Sequence, residues 1–262
     1  MWNQNYKVCF AILLSLVLCP TLRSLGQDQT PAQPAVAPEA VKALEQMGAY
    51  LRALKGFEVQ ATATREEVLE NGQKVHIDGS LRIQVRRPDR LHAEILSDRK
   101  HREFFYDGKT FTLWAPRQKY YAVVPAPPTL GELVQTLGKR YGIETPLADL
   151  FLWGTEHNGQ KDFQSALVLG PSKVEGTECI QYAFREEGID WQVWVEKGDK
   201  PLPRKLVVTT TSIPAQPEHI AVLKWNLAPE SDDRQFTFAP PEGAMKIVLQ
   251  TADGQPATQE TP

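Results

Sequence analysis

Five histidines and the one cysteine beyond residue 26 are the residues of this chain best suited to chemistry. His76, His92, His101, His157 and His219 show no metal-ligand spacing, and "HRE" at His101–Glu103 lacks the second histidine of a helical zinc site. Four of the five fall in strand-like stretches beside charged residues, which reads as solvated sheet-face histidine. Cys179 has no histidine near it in sequence, and Ile180, Tyr182 and Phe184 occupy the opposite face of its strand; an inert thiol is expected. No Gly-x-Ser-x-Gly elbow and no phosphate-cradling glycine loop occurs. Scattered acids leave a glycosidase-like carboxylate pair as a remote hydrolase alternative. The expectation is a non-enzymatic protein with no catalytic residue, metal or cofactor.

The address is more legible. Lys7 precedes "VCFAILLSLVL", 11 apolar residues from Val8 to Leu18, shorter than the roughly 20 that span a bilayer. With small residues at Ser24 and Gly26, residues 1–26 read as a secretory signal, so the protein is expected in the periplasm. A retained interfacial anchor is an open alternative. Lipidation at Cys19 is disfavoured by Leu18 before it and Pro20 after it. Loss of residues 1–26 removes Lys7 and Arg23 and no acid, leaving 27 basic against 32 acidic residues, a net charge of −5. That balance disfavours nucleic acid and anionic membrane, and membrane contact is peripheral at most. Cys9 and Cys19 leave with the signal, so Cys179 has no intramolecular disulfide partner and the fold rests on its core. A monomer is expected.

The elements that must position any site follow from periodicity. Residues 27–38 and 251–262 are rich in Pro, Ala, Gln and Thr, and read as a disordered linker and tail around a body at 39–250. Val41, Leu44, Met47, Leu51 and Leu54 recur at helical spacing and Gly56 ends that helix. Phe57, Val59, Ala61 and Ala63 then alternate with polar residues, Asn71-Gly72 marks a hairpin, and Val75, Ile77, Leu81, Ile83 and Val85 share the returning face. Further strands follow at 91–97, 102–106, 110–114 and 119–124. An insert at 125–154 carries one helix with Leu130, Leu133, Val134 and Leu137, and a second short one in "PLADLFLWG". Alternation resumes at Ser165 and runs to Leu227.

About eleven strands with two or three helices and no βαβ alternation argue an α+β domain on one antiparallel sheet. So wide a sheet curls towards a barrel, and the helices plug its concave apolar face, leaving a cavity between the layers. Met47, Leu51, Phe111, Leu133, Leu137, Tyr182, Phe184, Trp191 and Trp225 are the candidate cavity residues. Trp194 shares a face with Gln192 and Glu196, so it is either covered by a terminal segment or exposed for interaction. Arg99, Lys100, Arg102, Arg117 and Lys119 read as solvated strand ends, with a lipid headgroup or acidic partner at a cavity mouth as the alternative.

"ALEQMGAYLRALKGFEVQATATREEV", "RRPDRLHAEI", "FYDGKTFTLWAPRQKYYAVVPAP" and the closing "FTFAPPEGA", in that order, resemble the LolA/LolB-like lipoprotein-carrier superfamily, and within it a family of predicted exported bacterial proteins. The resemblance implies an incomplete barrel of about eleven strands plugged by helices, whose cavity takes up lipoprotein acyl chains or other lipids. It also implies the alternative of an envelope sensor or scaffold that meets a protein partner through its surface. The carriers' functional arginine has no assigned counterpart; Arg87 and Arg90, in "RPDR", lie in a comparable turn. In "FTFAPPEGA", Phe236 and Phe238 are expected to anchor into the apolar layer, and Pro240-Pro241 to end the sheet.

Overall fold

Period-2 alternation dominates because the chain is a meander of short strands, each with one apolar face. The computed structural model describes residues 35–143, 147 and 163–252. The expected signal, most of the linker, the short helix at 146–154 apart from Leu147, and the tail from residue 253 lie outside the described residues.

Helix α1 (Pro38–Ala53) leads into β1 (Gly56–Val68), β2 (Lys74–Arg86), β3 (Arg90–Ser97), β4 (His101–Tyr106), β5 (Thr110–Ala115) and β6 (Tyr120–Pro125). Helix α2 (Leu130–Tyr141) precedes β7 (Ser165–Val174), β8 (Thr177–Glu186), β9 (Ile189–Glu196), β10 (Pro203–Thr210) and β11 (Glu218–Asn226). A 3-10 turn at Asp233–Phe236 and a two-residue strand, β12 (Met245–Lys246), close the chain. The twelve strands form one sheet in the order β12-β6-β5-β4-β3-β2-β1-β11-β10-β9-β8-β7. Among these named strands every pairing is antiparallel except β12 with β6, which is parallel. The first and last strands of that order do not pair, so the barrel is incomplete.

Local chemistry explains the boundaries. Pro38 opens α1, where its missing N–H costs nothing. The Thr129 hydroxyl caps α2, accepting from Glu132 N–H at 3.3 Å and donating to its carboxylate at 2.9 Å. Gly142, at φ 61°, ends α2 in the left-handed conformation. Gly108 is required on two counts: its φ is +85°, and a Cβ there would stand 2.5 Å from Asp89 Oδ2 and 2.6 Å from Arg90 Nη1. Residues 35–37, expected as linker, pair with β7: Ala37 N–H donates to Ala166 O and Ala166 N–H to Ala35 O, each at 2.8 Å.

Both helices lie on one face of the sheet. Leu44, Met47 and Leu51 of α1 and Leu130, Leu133 and Leu137 of α2 share one buried cluster with Phe57, Val59, Ile83, Val85, Leu91, Tyr106 and Phe111. Each such Leu contributes about 1.5–3 kcal/mol by leaving water. No helix among the described residues is long and apolar enough to cross a membrane.

Candidate functional site

Antiparallel register sets inward-facing residues side by side in rows that run across the strands. One row reads Trp225, Val59, Ile83, Ala93, Phe104, Leu113 and Ala122 from β11 to β6. The next reads Leu223, Ala61, Leu81, Ile95 and Arg102. The one beyond reads Ala221, Ala63, Gly79 and Ser97. Four small residues side by side leave the inner face without the volume to meet whatever covers it. There the structure holds a cavity of about 740 Å³, lined by Ala61, Ala63, Gly79, Leu81, Ile95, Phe104, Leu113, Ile143, Leu147 and Ala221. That size falls within the range of small-ligand sites.

A polar rim closes one side. Arg65, Arg99, Lys100, Arg102, Glu67, Asp78 and His219 line the same cavity. Glu67 is shared by Arg65 at 3.8 Å and Arg99 at 3.6 Å, and Asp78 accepts from the Thr64 hydroxyl at 2.6 Å. Burial pushes the His219 imidazole below its ordinary pKa, and the Arg65 guanidinium pushes it further the same way.

The nine candidates chosen from sequence sit elsewhere on the inner layer, and none is among the residues that line this cavity. Met47, Leu51, Phe111, Leu133 and Leu137 are buried where the helices meet the sheet. Phe184 and Trp191 stack at 4.2 Å, and Phe163 tilts against Phe184 at 5.1 Å. Tyr182 flanks them half-buried, and Trp225 leans on Phe57 at 5.3 Å while donating to Pro203 O at 2.8 Å. The signal that marks the cavity is the opposite of bulk: small residues at matching register. Of the basic residues read as strand ends, Arg99, Lys100 and Arg102 line the cavity, whereas Arg117 donates to backbone carbonyls of Ser97 and Asp98.

Residues 40–250 match the family model described as predicted periplasmic protein, DUF2092. The chain belongs to the DUF2092 family. No curated protein matches it. Solved structures similar to this DUF2092 protein include an uncharacterized conserved protein from Thermus thermophilus, at 9% identity and TM-score 0.46, covering 80% of this chain and 98% of that one. The lipoprotein LppX from Mycobacterium tuberculosis follows at 11% identity and TM-score 0.46, covering 74% and 99%. A LolA superfamily protein from Nitrosomonas europaea aligns at 10% identity and TM-score 0.33, covering 76% and 97%.

The outer face of the DUF2092 sheet carries three further features. Phe236 and Phe238 do not anchor into the helix-facing layer as expected. Phe236 is fully buried beneath the Arg86 guanidinium, and Phe238 meets Phe105, Trp114 and Tyr121, which alternate with inward-facing Phe104, Leu113 and Ala122. Gln84, also outward and buried, donates to Glu230 O at 2.7 Å and Gln235 Oε1 at 3.0 Å, holding this segment down. The clasp therefore closes the sheet from outside: Phe236 ends the 3-10 turn, Thr237 is extended, and both rings meet the face that the segment crosses.

Trp194 needs neither a terminal segment nor a partner. It is buried with Val174, Cys179 and Val207 in a small outer cluster, donates to Ser172 Oγ at 3.1 Å and lies under Lys205 Nζ at 4.7 Å. Cys179 is fully buried there, and desolvation raises its thiol pKa, the opposite of what a nucleophile needs.

Glu94, His101 and Glu103 place three ligand-capable atoms within 4.8 Å, a set that pairing of β3 with β4 creates and linear spacing hides. They could hold a divalent ion, but they already pair among themselves, with His101 Nε2 2.8 Å from Glu94 and 3.7 Å from Glu103. Arg87 is held at its turn by its backbone N–H, which donates to Lys55 O, and by its guanidinium, which reaches Leu51 O at 3.4 Å; burial beside Arg52 lowers its pKa.

Proposed function

We propose that this periplasmic-family protein binds the apolar chain of a lipid, lipoprotein or other amphiphile in the hollow above Ala61, Ala63, Gly79 and Ala221. The observation that carries the reading is that hollow itself: about 740 Å³ walled by aliphatic and aromatic side chains on a fold whose remaining inner face is packed. Buried apolar chain gains about 0.8 kcal/mol per methylene, so a long tail needs little polar recognition to be held. The binding role is non-enzymatic. The buried Cys179 thiol, whose pKa desolvation raises, is not an activated nucleophile.

The test is direct. Protein purified from a periplasmic extract is treated with organic solvent and the extract analysed by mass spectrometry. Titration of the delipidated protein with a polarity-sensitive fluorophore such as N-phenylnaphthylamine follows. Co-purifying acyl species and saturable fluorescence, displaced by long-chain lipid, are expected. An extract empty of lipid, together with no fluorophore binding, would sink the reading.

A further inference from the structure

Resting on the amphiphile reading, we infer that the hollow selects ligands with an anionic head, carboxylate or phosphoryl, held by Lys100 and Arg102 at the rim with the tail inward.

One residue of the apolar wall is out of place. Arg102 occupies the same cross-strand row as Ala61, Leu81 and Ile95, which line the cavity with it. A guanidinium there stands at the junction of apolar wall and rim. Its guanidinium donates to neutral acceptors, His101 O at 2.7 Å and Gln118 Oε1 at 2.9 Å. Those bonds orient the group and leave its charge uncompensated. Lys100, in the β3–β4 turn, lines the same cavity, and among the described residues neither Lys100 nor Arg102 forms an ion pair.

Charge balance points the same way. The cavity is lined by four cations, Arg65, Arg99, Lys100 and Arg102, against two carboxylates, Glu67 and Asp78, in a chain whose net charge is −3. Glu67 is shared by Arg65 and Arg99, and Asp78, which accepts from the neutral Thr64 hydroxyl, keeps its charge, so the lining as a whole carries two cations in excess. A local positive excess on a net-negative protein is unlike a solvated face of mixed sign. Next to an apolar hollow it complements a molecule with a tail and a negative head, since charge-assisted hydrogen bonds to oxyanions are among the stronger polar contacts. A cationic head would meet the same rim unfavourably.

Four twelve-carbon probes separate the two claims: dodecanoate, dodecyl phosphate, dodecanol and dodecyltrimethylammonium, each titrated below its critical micelle concentration by displacement of the fluorophore from delipidated protein. An anionic probe should bind at least about ten-fold tighter than dodecanol, and the ammonium should bind weakest. Raising salt should narrow the gap. The double variant Lys100→Gln/Arg102→Gln should bring the anionic probes to the affinity of dodecanol while dodecanol itself is unchanged, which also reports that the hollow remains intact. Equal affinity of dodecanoate, dodecyl phosphate and dodecanol for the wild type overturns the head selectivity and leaves the amphiphile reading standing. A preference that survives in the double variant overturns the assignment to these two residues. Failure of all four probes to bind removes both.

Discussion

The two ends of the inner layer are built on the same backbone and differ in what their cross-strand rows carry. Over β7 to β10 the rows hold Ala166, Phe184, Trp191 and Val208, then Val168, Tyr182, Val193 and Leu206, with Phe163 added from outside the sheet. Over β11 to β3 the rows continue as Ala221, Ala63, Gly79 and Ser97. Strand spacing is common to both, near 4.8 Å, so side-chain volume alone decides whether the layer is filled. The aromatic end holds the fold together, and the small-residue end leaves room. Stability and the proposed binding thus rest on opposite ends of the same cross-strand rows, joined where Leu206 pairs with Ala221.

The sharpest way to break that contrast is to hollow out the filled end. Phe184 is 3% exposed and stacked on Trp191. Phe184→Ala should cost about 3–5 kcal/mol in urea unfolding through lost transfer and the cavity left behind. A loss below about 1 kcal/mol would mean the aromatic end is not the anchor. On the outer face, Phe236→Ala should cost a similar amount, about 3–5 kcal/mol, because its ring is fully buried. That variant should leave fluorophore affinity unchanged, since the clasp does not line the hollow.

The converse is to fill the empty end. Ala63→Phe places a ring in the row between Ala221 and Gly79. Fluorophore binding should fall at least about ten-fold, with unfolding free energy within about 1 kcal/mol of wild type. A destabilisation of about 1–3 kcal/mol would instead be the signature of overpacking and would show that no room exists there. Gly79 is the poorer choice, because a Cβ on it would stand 2.8 Å from Leu96 O.

These rows also explain what the sequence could and could not disclose. Phe57, Val59, Ala61 and Ala63 announce an inward face by alternation, and Asn71-Gly72 fixes the pairing of β1 with β2. The DUF2092 match spans the same body, and the α1 and α2 stripes are as periodic as expected. The pairing of β1 with β11 is a different matter. Ala63 and Ala221 meet across more than half the chain, and no local pattern records that contact. Candidates chosen for bulk select the residues that fill space, so Trp191 and Phe184 emerged and Ala63 and Ala221 did not. Likewise "FTF" shows that two rings share a side, but which face of the sheet they cross depends on a register beyond the segment itself.

The smallest effect separates two neighbours in sequence that serve opposite faces. Glu66, outward on β1, accepts from Lys74 Nζ at 2.8 Å and from Glu218 N–H at 2.9 Å, which hold its carboxyl at about 2 against an ordinary 4.5. Its stabilisation is complete above pH 4.5 and is lost as pH falls from there towards 2. On the inner face, His219 is paired in register with Arg65, and its folded pKa lies below the ordinary 6.5 because burial and that cation both oppose protonation. The unfolded chain therefore takes up the proton first, so this contribution is complete above pH 6.5 and declines as pH falls below it. The windows barely overlap. Between pH 7 and pH 5 the wild type should lose stability through His219 while Glu66 stays ionised in both states. His219→Gln should flatten that segment of the unfolding profile and leave the loss below pH 4.5 in place, whereas Glu66→Gln should do the reverse. Parallel profiles for His219→Gln and wild type from pH 7 to 5 would show that the imidazole at the cavity rim is solvated rather than buried.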